Sequence, residues 1–305
     1  KGFLWIGTNN GLNCYNGKDF IVYKSDFSDP NSISNNQVTC IDEDKEGRLW
    51  VGTENGLNQY DRSTNSFRVF ENEIGNEKSI SHNWIKQFHL GSDGNFWIAT
   101  REGLNKLEKN PTGNLIFQQY FPVNRNPSNT DHWAIQCIAE DTYGDIWVGT
   151  WGAGMCHFDP SSGRFTHFLH DPNDKHSING NIVERIGNFV DDLLIIGLAS
   201  NELCLFDPVK RRFYTKDQFE VYSNLLNIPP PIYAFAKDQN NLFWIGTADG
   251  LFSYDLETHD IIYKSNGNPG LHEPKYNKLD QARTVFVDNT GIIWAGIGKT
   301  GLNKY

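Results

Sequence analysis

The stretch RLWVGTENGLNQYD, residues 48–61, places two short apolar runs on either side of a turn that contains Asn and Gly. Aromatic and β-branched residues such as those of LWV favour strands, and Asn followed by Gly favours a tight connection between them. The stretch therefore predicts a β-hairpin. Nearly the same phrase recurs along the chain, and this recurrence decides the fold.

The phrase occurs seven times when the copies are aligned on the Trp of LWVGT. The anchor residues are Trp5, Trp50, Trp97, Trp147, Ile195, Trp244 and Trp294. Successive anchors are 45 to 50 residues apart, which is the length of one four-stranded β-propeller blade. The fifth copy, DDLLIIGLASNELCLFD, lacks both the Trp and the turn Gly.

The second repeat divides into four predicted strands, at residues 37–44, 48–53, 57–61 and 67–70. We therefore expect an all-β fold, a seven-bladed β-propeller with four-stranded antiparallel blades, forming a single domain over residues 1–305. The first repeat lacks an innermost strand and the seventh lacks an outermost one, so these two blades are predicted to be incomplete. An upstream segment of about 20 residues would complete both blades and close the ring.

Composition narrows the classes of function. The chain has 27 basic and 37 acidic residues, a formal net charge of -10, which argues against binding to nucleic acid or to an anionic membrane surface. Its five cysteines show no metal-ligand spacing, and we interpret them as mostly buried free thiols. No apolar run is long enough for a membrane helix. We predict neither a cofactor nor a metal site.

The repeats GFLWIGTNNGLNCYNG, GRLWVGTENGLNQYD, GDIWVGTWGAGMCHFD and NLFWIGTADGLFSYD resemble the two-component regulator propeller repeat. The linkers DPNSISNNQVTCI (residues 29–41) and EKSISHNWIKQF (residues 77–88) also resemble those that precede inner strands in that family. These repeats build the periplasmic sensor region of Bacteroides-type hybrid two-component system histidine kinases. The resemblance covers essentially the whole chain and is strongest to the N-terminal propeller of such a region.

This resemblance implies a function and a set of partners. Such sensors detect oligosaccharides from polysaccharide breakdown and signal across the inner membrane to induce polysaccharide-utilisation genes. The expected partners are an oligosaccharide, a second propeller and a β-sandwich of the same chain, and a second copy in a homodimer. Contact with the membrane would be made only by segments outside this chain, and this domain itself would not be an enzyme.

The candidate site follows from the strand directions. We call the end of each blade that carries the turn between its second and third strands the upper end; linkers into inner strands reach the same end, and propellers generally bind ligands there. Trp84, Trp133 and Trp151 lie at this end of adjacent blades and are surplus to the repeated Trp. Aromatic rings stack on the apolar faces of sugars. The predicted ligand-binding residues are Trp84, Arg101, His132, Trp133, Trp151, Tyr233 and Arg283.

Several neighbours of these residues are also polar. His82 and Asn83 precede Trp84, and Asp131 precedes His132. A polar residue stands two positions into each predicted inner strand and suggests a channel mouth: Thr39, Lys86, Gln136, Glu184, Tyr233 and Arg283. The alternatives are that Trp84 and Trp133 fill gaps between blades and that the polar residues are merely solvated.

Two other classes of function stay open. Glycan lyases and hydrolases need paired acid and base groups, and Asp131 and Glu184 are the only acidic pair expected at the upper end. The other acidic residues concentrate in lower turns such as EDKEG, where we interpret them as solvated turn formers. We predict no catalytic residues. A propeller that binds only protein is the third class.

Overall fold

Seven antiparallel sheets follow one another along the chain in the computed structural model, one sheet for each sequence repeat. The structure describes residues 3–122, 134–199, 202–215, 218, 220–228, 231–265, 281–288, 290–298 and 300–305. Five sheets have four strands, and the first and last have three. These sheets confirm the predicted all-β, seven-bladed propeller fold with incomplete first and last blades.

The strands of the first four blades carry one repeat each. They are β1 (Leu4–Thr8), β2 (Gly11–Tyr15), β3 (Phe20–Tyr23), β4 (Val38–Glu43), β5 (Leu49–Thr53), β6 (Gly56–Asp61), β7 (Ser66–Phe70), β8 (Ile85–Leu90), β9 (Phe96–Thr100), β10 (Gly103–Lys109), β11 (Leu115–Tyr120), β12 (Ile135–Glu140), β13 (Ile146–Thr150), β14 (Met155–Asp159) and β15 (Arg164–Phe168).

The last three blades continue the pattern. Their strands are β16 (Val183–Asn188), β17 (Leu194–Leu198), β18 (Leu203–Asp207), β19 (Arg212–Tyr214), β20 (Ile232–Lys237), β21 (Leu242–Thr247), β22 (Gly250–Asp255), β23 (Ile261–Ser265), β24 (Ala282–Val287), β25 (Ile293–Ile297) and β26 (Gly301–Lys304). A 3-10 turn (Glu220–Tyr222) and a short helix α1 (Ser223–Leu226) precede the sixth blade.

The chain divides into two compact units, Lys1–Thr166 and His167–Tyr305. The sequence prediction that the seven blades form one domain stays a prediction. In both units the strands of a blade pair in the order in which they occur along the chain. The fifth blade does so as well, although its repeat lacks the Trp and the turn Gly, because Ile195 fills the anchor position and is fully buried.

The upper turns of the second, third and sixth blades depend on the Thr and Gly of the repeated phrase. In the second blade the Thr53 hydroxyl donates to the Gly56 carbonyl at 2.9 Å and accepts the Asn55 N–H at 3.1 Å. Gly56 has a φ of 128°, and a side chain there would meet Ser34. The same hydroxyl bond recurs at Thr100 and Thr247. These turns hold the upper hairpins in one conformation.

The linkers into the inner strands are fastened to their own blades. In the third blade the Ser81 N–H donates to Asn105 Oδ1 at 2.9 Å, and the Ser81 and Thr100 hydroxyls lie 2.8 Å apart. Ile80, between the two serines of the SIS phrase, is fully buried. Ser34, Asn58 and Thr53 repeat these bonds in the second blade. These bonds fix the backbone of the linker and so the position of the residues that follow it, including Trp84.

The repeated Trp side chains form the blade cores, as the sequence predicts. Trp50, Trp97 and Trp147 are buried almost completely, and Trp244 nearly so. Trp5 and Trp294, in the two three-stranded blades, are half-buried. All five cysteines are free thiols, four of them buried, which confirms their interpretation.

The interpretation of the lower-turn acidic residues as solvated is wrong for Asp44, Asp141 and Asp238, each of which lies six positions before an anchor Trp. Asp44 is only 5% exposed, and its carboxylate accepts the indole N–H of Trp50 at 2.7 Å. Asp141 and Trp147 form the same bond at 2.8 Å, and so do Asp238 and Trp244 at 3.0 Å. These carboxylates are buried because the indole N–H needs an acceptor inside the blade.

Candidate functional site

A β-bulge lies near the upper end of each of the six inner strands that the structure describes. The register shift falls between Ile85 and Gln87 in β8 and between Ile135 and Cys137 in β12. In every case the residue left without a partner is one of the six polar residues singled out in the sequence: Thr39, Lys86, Gln136, Glu184, Tyr233 and Arg283. Bulges change the direction of a side chain, and in each of these strands the bulged residue is the polar one.

A cavity of about 260 Å³ lies at the upper end of the third and fourth blades. Its lining consists of three equivalent positions taken from each of the two blades: the residue before the inner strand, the bulged residue and the first residue of the upper turn. The third blade provides Trp84, Lys86 and Arg101, and the fourth provides Ala134, Gln136 and Trp151. The structure thus brings three of the seven predicted site residues, Trp84, Arg101 and Trp151, to one cavity.

The backbone around Trp84 is held on both sides. The Trp84 N–H donates to His82 Nδ1 at 2.8 Å, and the Trp84 carbonyl accepts the Arg101 N–H at 3.0 Å. Burial is the main cause that lowers the pKa of His82, so the ring is neutral at neutral pH and Nδ1 can accept. The Trp84 side chain is half-buried. This degree of burial fits both alternatives for Trp84, a side chain that fills a gap between blades and one that stacks on a ligand.

Two cations lie over the Trp84 ring. Lys86 Nζ is 3.9 Å from the ring centroid, and Arg101 Cζ is 5.3 Å from it. The negative face of an indole attracts cations at such distances. The ring therefore holds both charges beside the cavity.

Trp151 belongs to the part of the lining that the fourth blade provides. Its N–H donates to the Ala134 carbonyl at 3.0 Å, and its side chain is 44% exposed. An indole that is exposed at a cavity, on a backbone fixed by a strand and a tight turn, is suited to stacking on a ligand. Gln136, half-buried in the same lining, carries an amide that can donate to and accept from hydroxyl groups.

A second group of predicted residues comes together in the second unit. Arg283 Cζ lies 5.2 Å from the centroid of the Tyr233 ring, and the Arg283 guanidinium donates to Gln281 Oε1 at 2.7 Å. The Arg185 guanidinium donates to the Tyr233 carbonyl at 2.5 Å. Burial raises the pKa of Glu184 above its usual range, against the effect of Arg185. This group is another aromatic ring with a cation beside it.

Three residues proposed from the sequence, Asp131, His132 and Trp133, lie outside the described residues. Ala134 is the one lining residue that the sequence reasoning missed. Its signal is positional, because Ala134 stands where Trp84 stands in the preceding blade. Alignment of the seven repeats at the start of each inner strand would have placed Ala134 beside Trp84 among the candidate residues.

The first unit has a second cavity, of about 310 Å³, at the lower end of the second and third blades. Six of the seven charged residues in its lining pair with one another. Arg48 Nε lies 2.6 Å from Asp44 Oδ2, and Lys109 Nζ lies 2.8 Å from Glu46 Oε2. Its aromatic lining residue, Phe96, is only 3% exposed and therefore offers a sugar little stacking surface. The upper cavity is therefore the better candidate site.

Comparison with known proteins matches two segments of the repeats to a family model. The model of the two-component regulator propeller family matches residues 32–55 and 132–152. The extracellular domain of a putative hybrid two-component system from B. thetaiotaomicron is 25% identical, with a TM-score of 0.75 over 99% of this chain. Another such extracellular domain from B. thetaiotaomicron is 21% identical, with a TM-score of 0.52 over 100% of this chain. The chain spans 38% of the length of each.

These matches confirm the resemblance to two-component regulator propellers. Virginiamycin B lyase from Staphylococcus aureus is 14% identical to this chain, with a TM-score of 0.65. The match covers 100% of this chain and 91% of the lyase. This likeness shows the fold alone. No curated protein matches the chain. Among the described residues, no helix has the length and apolar character needed to cross a membrane.

Proposed function

We propose that this chain of two-component regulator propeller repeats is a periplasmic sensor domain of a hybrid two-component system histidine kinase. In this proposal it detects oligosaccharides from polysaccharide breakdown, and the signal crosses the inner membrane to induce polysaccharide-utilisation genes. The proposal draws support from its likeness to extracellular domains of B. thetaiotaomicron hybrid two-component systems. The second propeller, the β-sandwich, the membrane segment and the homodimer that the proposal requires belong to the larger protein.

One observation carries the sugar-binding part of the proposal. Trp84 and Trp151, neither needed as a repeat anchor, line one cavity together with a bulged amide side chain, Gln136. Aromatic faces and hydroxyl-matching polar groups are the two requirements of carbohydrate recognition. The volume, about 260 Å³, lies just below the roughly 300–1,000 Å³ typical of small-molecule sites, so the cavity would hold only part of an oligosaccharide.

Isothermal titration calorimetry against a panel of plant and host oligosaccharides tests the proposal. We expect one sugar class to bind, and chromatography of the same mixtures to show the sugar intact. A cleaved product would instead establish a lyase or hydrolase. A panel in which nothing binds to the complete periplasmic region would favour a protein-binding propeller.

The variant Trp151→Ala connects this binding to the cavity. We expect it to weaken sugar binding by about tenfold or more, because stacking on an aromatic ring is lost, while the melting temperature stays nearly unchanged. Phe27→Ala, which removes a fully exposed aromatic ring outside the cavity, is the matched control and should bind like wild type. Unaltered affinity in Trp151→Ala would place the sugar elsewhere.

An enzymatic function has less support at this cavity. Among its described lining residues there is no carboxylate and no histidine, so the acid and base pair of a glycosidase is not present in that lining. The likeness to virginiamycin B lyase concerns the fold and carries no active site to this chain. We therefore favour binding without turnover.

A further inference from the structure

We propose that the upper cavity of the third and fourth blades selects an anionic oligosaccharide, one that carries a uronate carboxylate or a sulfate ester. This inference rests on the proposed sugar-binding function and adds the chemical class of the ligand. The cavity would stack a sugar ring on Trp151 and hold the anionic substituent at Arg101, with Lys86 beside it.

The charge of the lining is the first argument. Its described residues include two cations, Arg101 and Lys86, and no acidic residue, in a protein whose formal net charge is -10. The nearest acidic neighbour along the chain, Glu102, lies outside this lining and acts on His82. A neutral sugar would not need a cationic spot on an acidic protein, whereas an anionic sugar would need one to overcome the surrounding repulsion.

The position of Arg101 is the second argument. It occupies the first residue of the upper turn, where the second blade has Glu54 and the fourth has Trp151. Among the described residues no carboxylate lies within 4 Å of its guanidinium, whereas Arg48 and Arg62 each pair with a carboxylate. Arg101 is exposed and is held over Trp84 by the cation–π contact. Arg101 thus lines the cavity, and no carboxylate of the described residues forms an ion pair with it.

The geometry of the guanidinium suits these ligands. A guanidinium donates two parallel hydrogen bonds to a carboxylate or to a sulfate, and such charge-assisted bonds are about twice as strong as neutral ones. A lysine ammonium adds a point charge from a second direction, and Lys86 reaches the cavity because it is the bulged residue of β8. An anion near both groups would also relieve the repulsion between the two cations.

Paired probes test the charge preference on the complete protein by calorimetry. One pair is trigalacturonate and neutral galactotriose, which differ in the carboxylates. The other is neocarratetraose sulfate and its desulfated form, which differ in the sulfate esters. We expect the charged member of at least one pair to bind about tenfold or more tightly than its neutral partner, and the pair that shows the difference identifies the anion. This preference should shrink at roughly 0.5 M salt, where charges are strongly screened.

Substitutions assign the preference to Arg101. We expect Arg101→Gln to bring the charged and neutral members to within about threefold of each other, while Arg101→Lys keeps an intermediate preference. Arg68→Gln is the matched control, because Arg68 also lies over an aromatic ring, Phe70 at 4.7 Å, but outside the cavity. Its preference should equal that of wild type. The melting temperature of each variant shows whether it is folded.

Four results would overturn the inference. Neutral members that bind as tightly as their charged partners would remove the charge preference but leave the sensor proposal intact. If only uncharged sugars of the wider panel bind, the charge preference is likewise contradicted and the sensor proposal stays intact. Failure of every sugar to bind would remove the sensor proposal and this inference together. A charge preference that survives Arg101→Gln would contradict the role of this cavity.

Discussion

The two ends of the fourth blade use tryptophan in opposite ways. Trp147, near the lower end, is 1% exposed and donates its indole N–H to Asp141 at 2.8 Å. Trp151, four residues later in the upper turn, is 44% exposed and lines the cavity. Most repeats have a Trp at the position of Trp147, whereas the position of Trp151, in the upper turn, differs from repeat to repeat. A tryptophan with a repeated partner is structural, and a surplus one is available for binding.

Replacing Trp147 by Ala should produce the largest loss of stability. Removing a fully buried Trp leaves a cavity in the blade, and the cost expected is about 3–5 kcal/mol of the free energy of unfolding. Trp151→Ala, which removes the same side chain from the exposed end, should change it by less than about 0.5 kcal/mol. Urea denaturation of both variants measures the difference. Equal losses at the two positions would contradict the division between structural and surplus tryptophans.

Removing the carboxylate of Asp141 should have the next largest effect. Asp141 Oδ1 accepts the Tyr143 and Asp145 N–H groups at 2.9 Å each, in addition to the Trp147 bond. Asp141→Ala leaves these donors without their acceptor, and we expect a loss of about 2–3 kcal/mol in the free energy of unfolding.

Asp141→Asn is its matched control. It keeps the shape of the side chain and one acceptor oxygen, so it should lose less than Asp141→Ala in the same denaturation experiment. If alanine were tolerated as well as asparagine, the lower-turn aspartate would be a solvated turn former after all.

The third blade is the natural variant of this arrangement. Its anchor, Trp97, is fully buried, but the position six residues earlier is Gly91, and the Trp97 indole nitrogen has no hydrogen-bond partner among the described residues. A side chain at Gly91 would meet Asp93 at 2.8 Å. Glu140 of the fourth blade holds this turn instead, since it accepts the Ser92 N–H at 2.8 Å.

This contrast predicts different costs for the same substitution. Trp147→Phe should cost about 1–2 kcal/mol more than Trp97→Phe, because only the first leaves a buried aspartate without its indole donor. The free energies of unfolding of the two variants, measured in urea under identical conditions, give the comparison. An equal cost would mean that the Asp141 bond adds nothing to the packing of the ring.

The fold could be predicted from the sequence because each blade repeats the same physical solution. The period of the anchor Trp, the turn Gly and the strand lengths all point to one architecture, and the observed β4 to β7 fall within one or two residues of their predicted bounds. The buried role of Asp44 could not be read from the phrase EDKEG alone. It depends on the indole N–H of Trp50 six residues later, a spacing that becomes meaningful only once both strands are paired.

The candidate site was predictable only in part. Surplus tryptophans and the strand register sufficed to place Trp84 and Trp151 at the same end of neighbouring blades. The bulge that singles out Lys86 and Gln136 has no local sequence signature, because it arises from the pairing of inner and second strands. The stacking of Arg101 over Trp84 depends likewise on side-chain conformation, which periodicity does not specify.

The smallest effect that we predict concerns pH and the lower turn of the second blade. Burial by itself would raise the pKa of Asp44, but hydrogen bonds from Trp50 and Arg48 and the charge of Arg48 outweigh it and lower this pKa. A carboxylate whose pKa is lower in the folded state stabilises the fold above its unfolded pKa of about 3.9, and this contribution is lost as the pH falls through the folded value. Asp44→Asn should therefore be less stable than wild type at neutral pH, and the gap should narrow below about pH 4. Denaturation curves at neutral and acidic pH measure the gap, and a gap that stays constant across that range would show that the charge of Asp44 does not contribute.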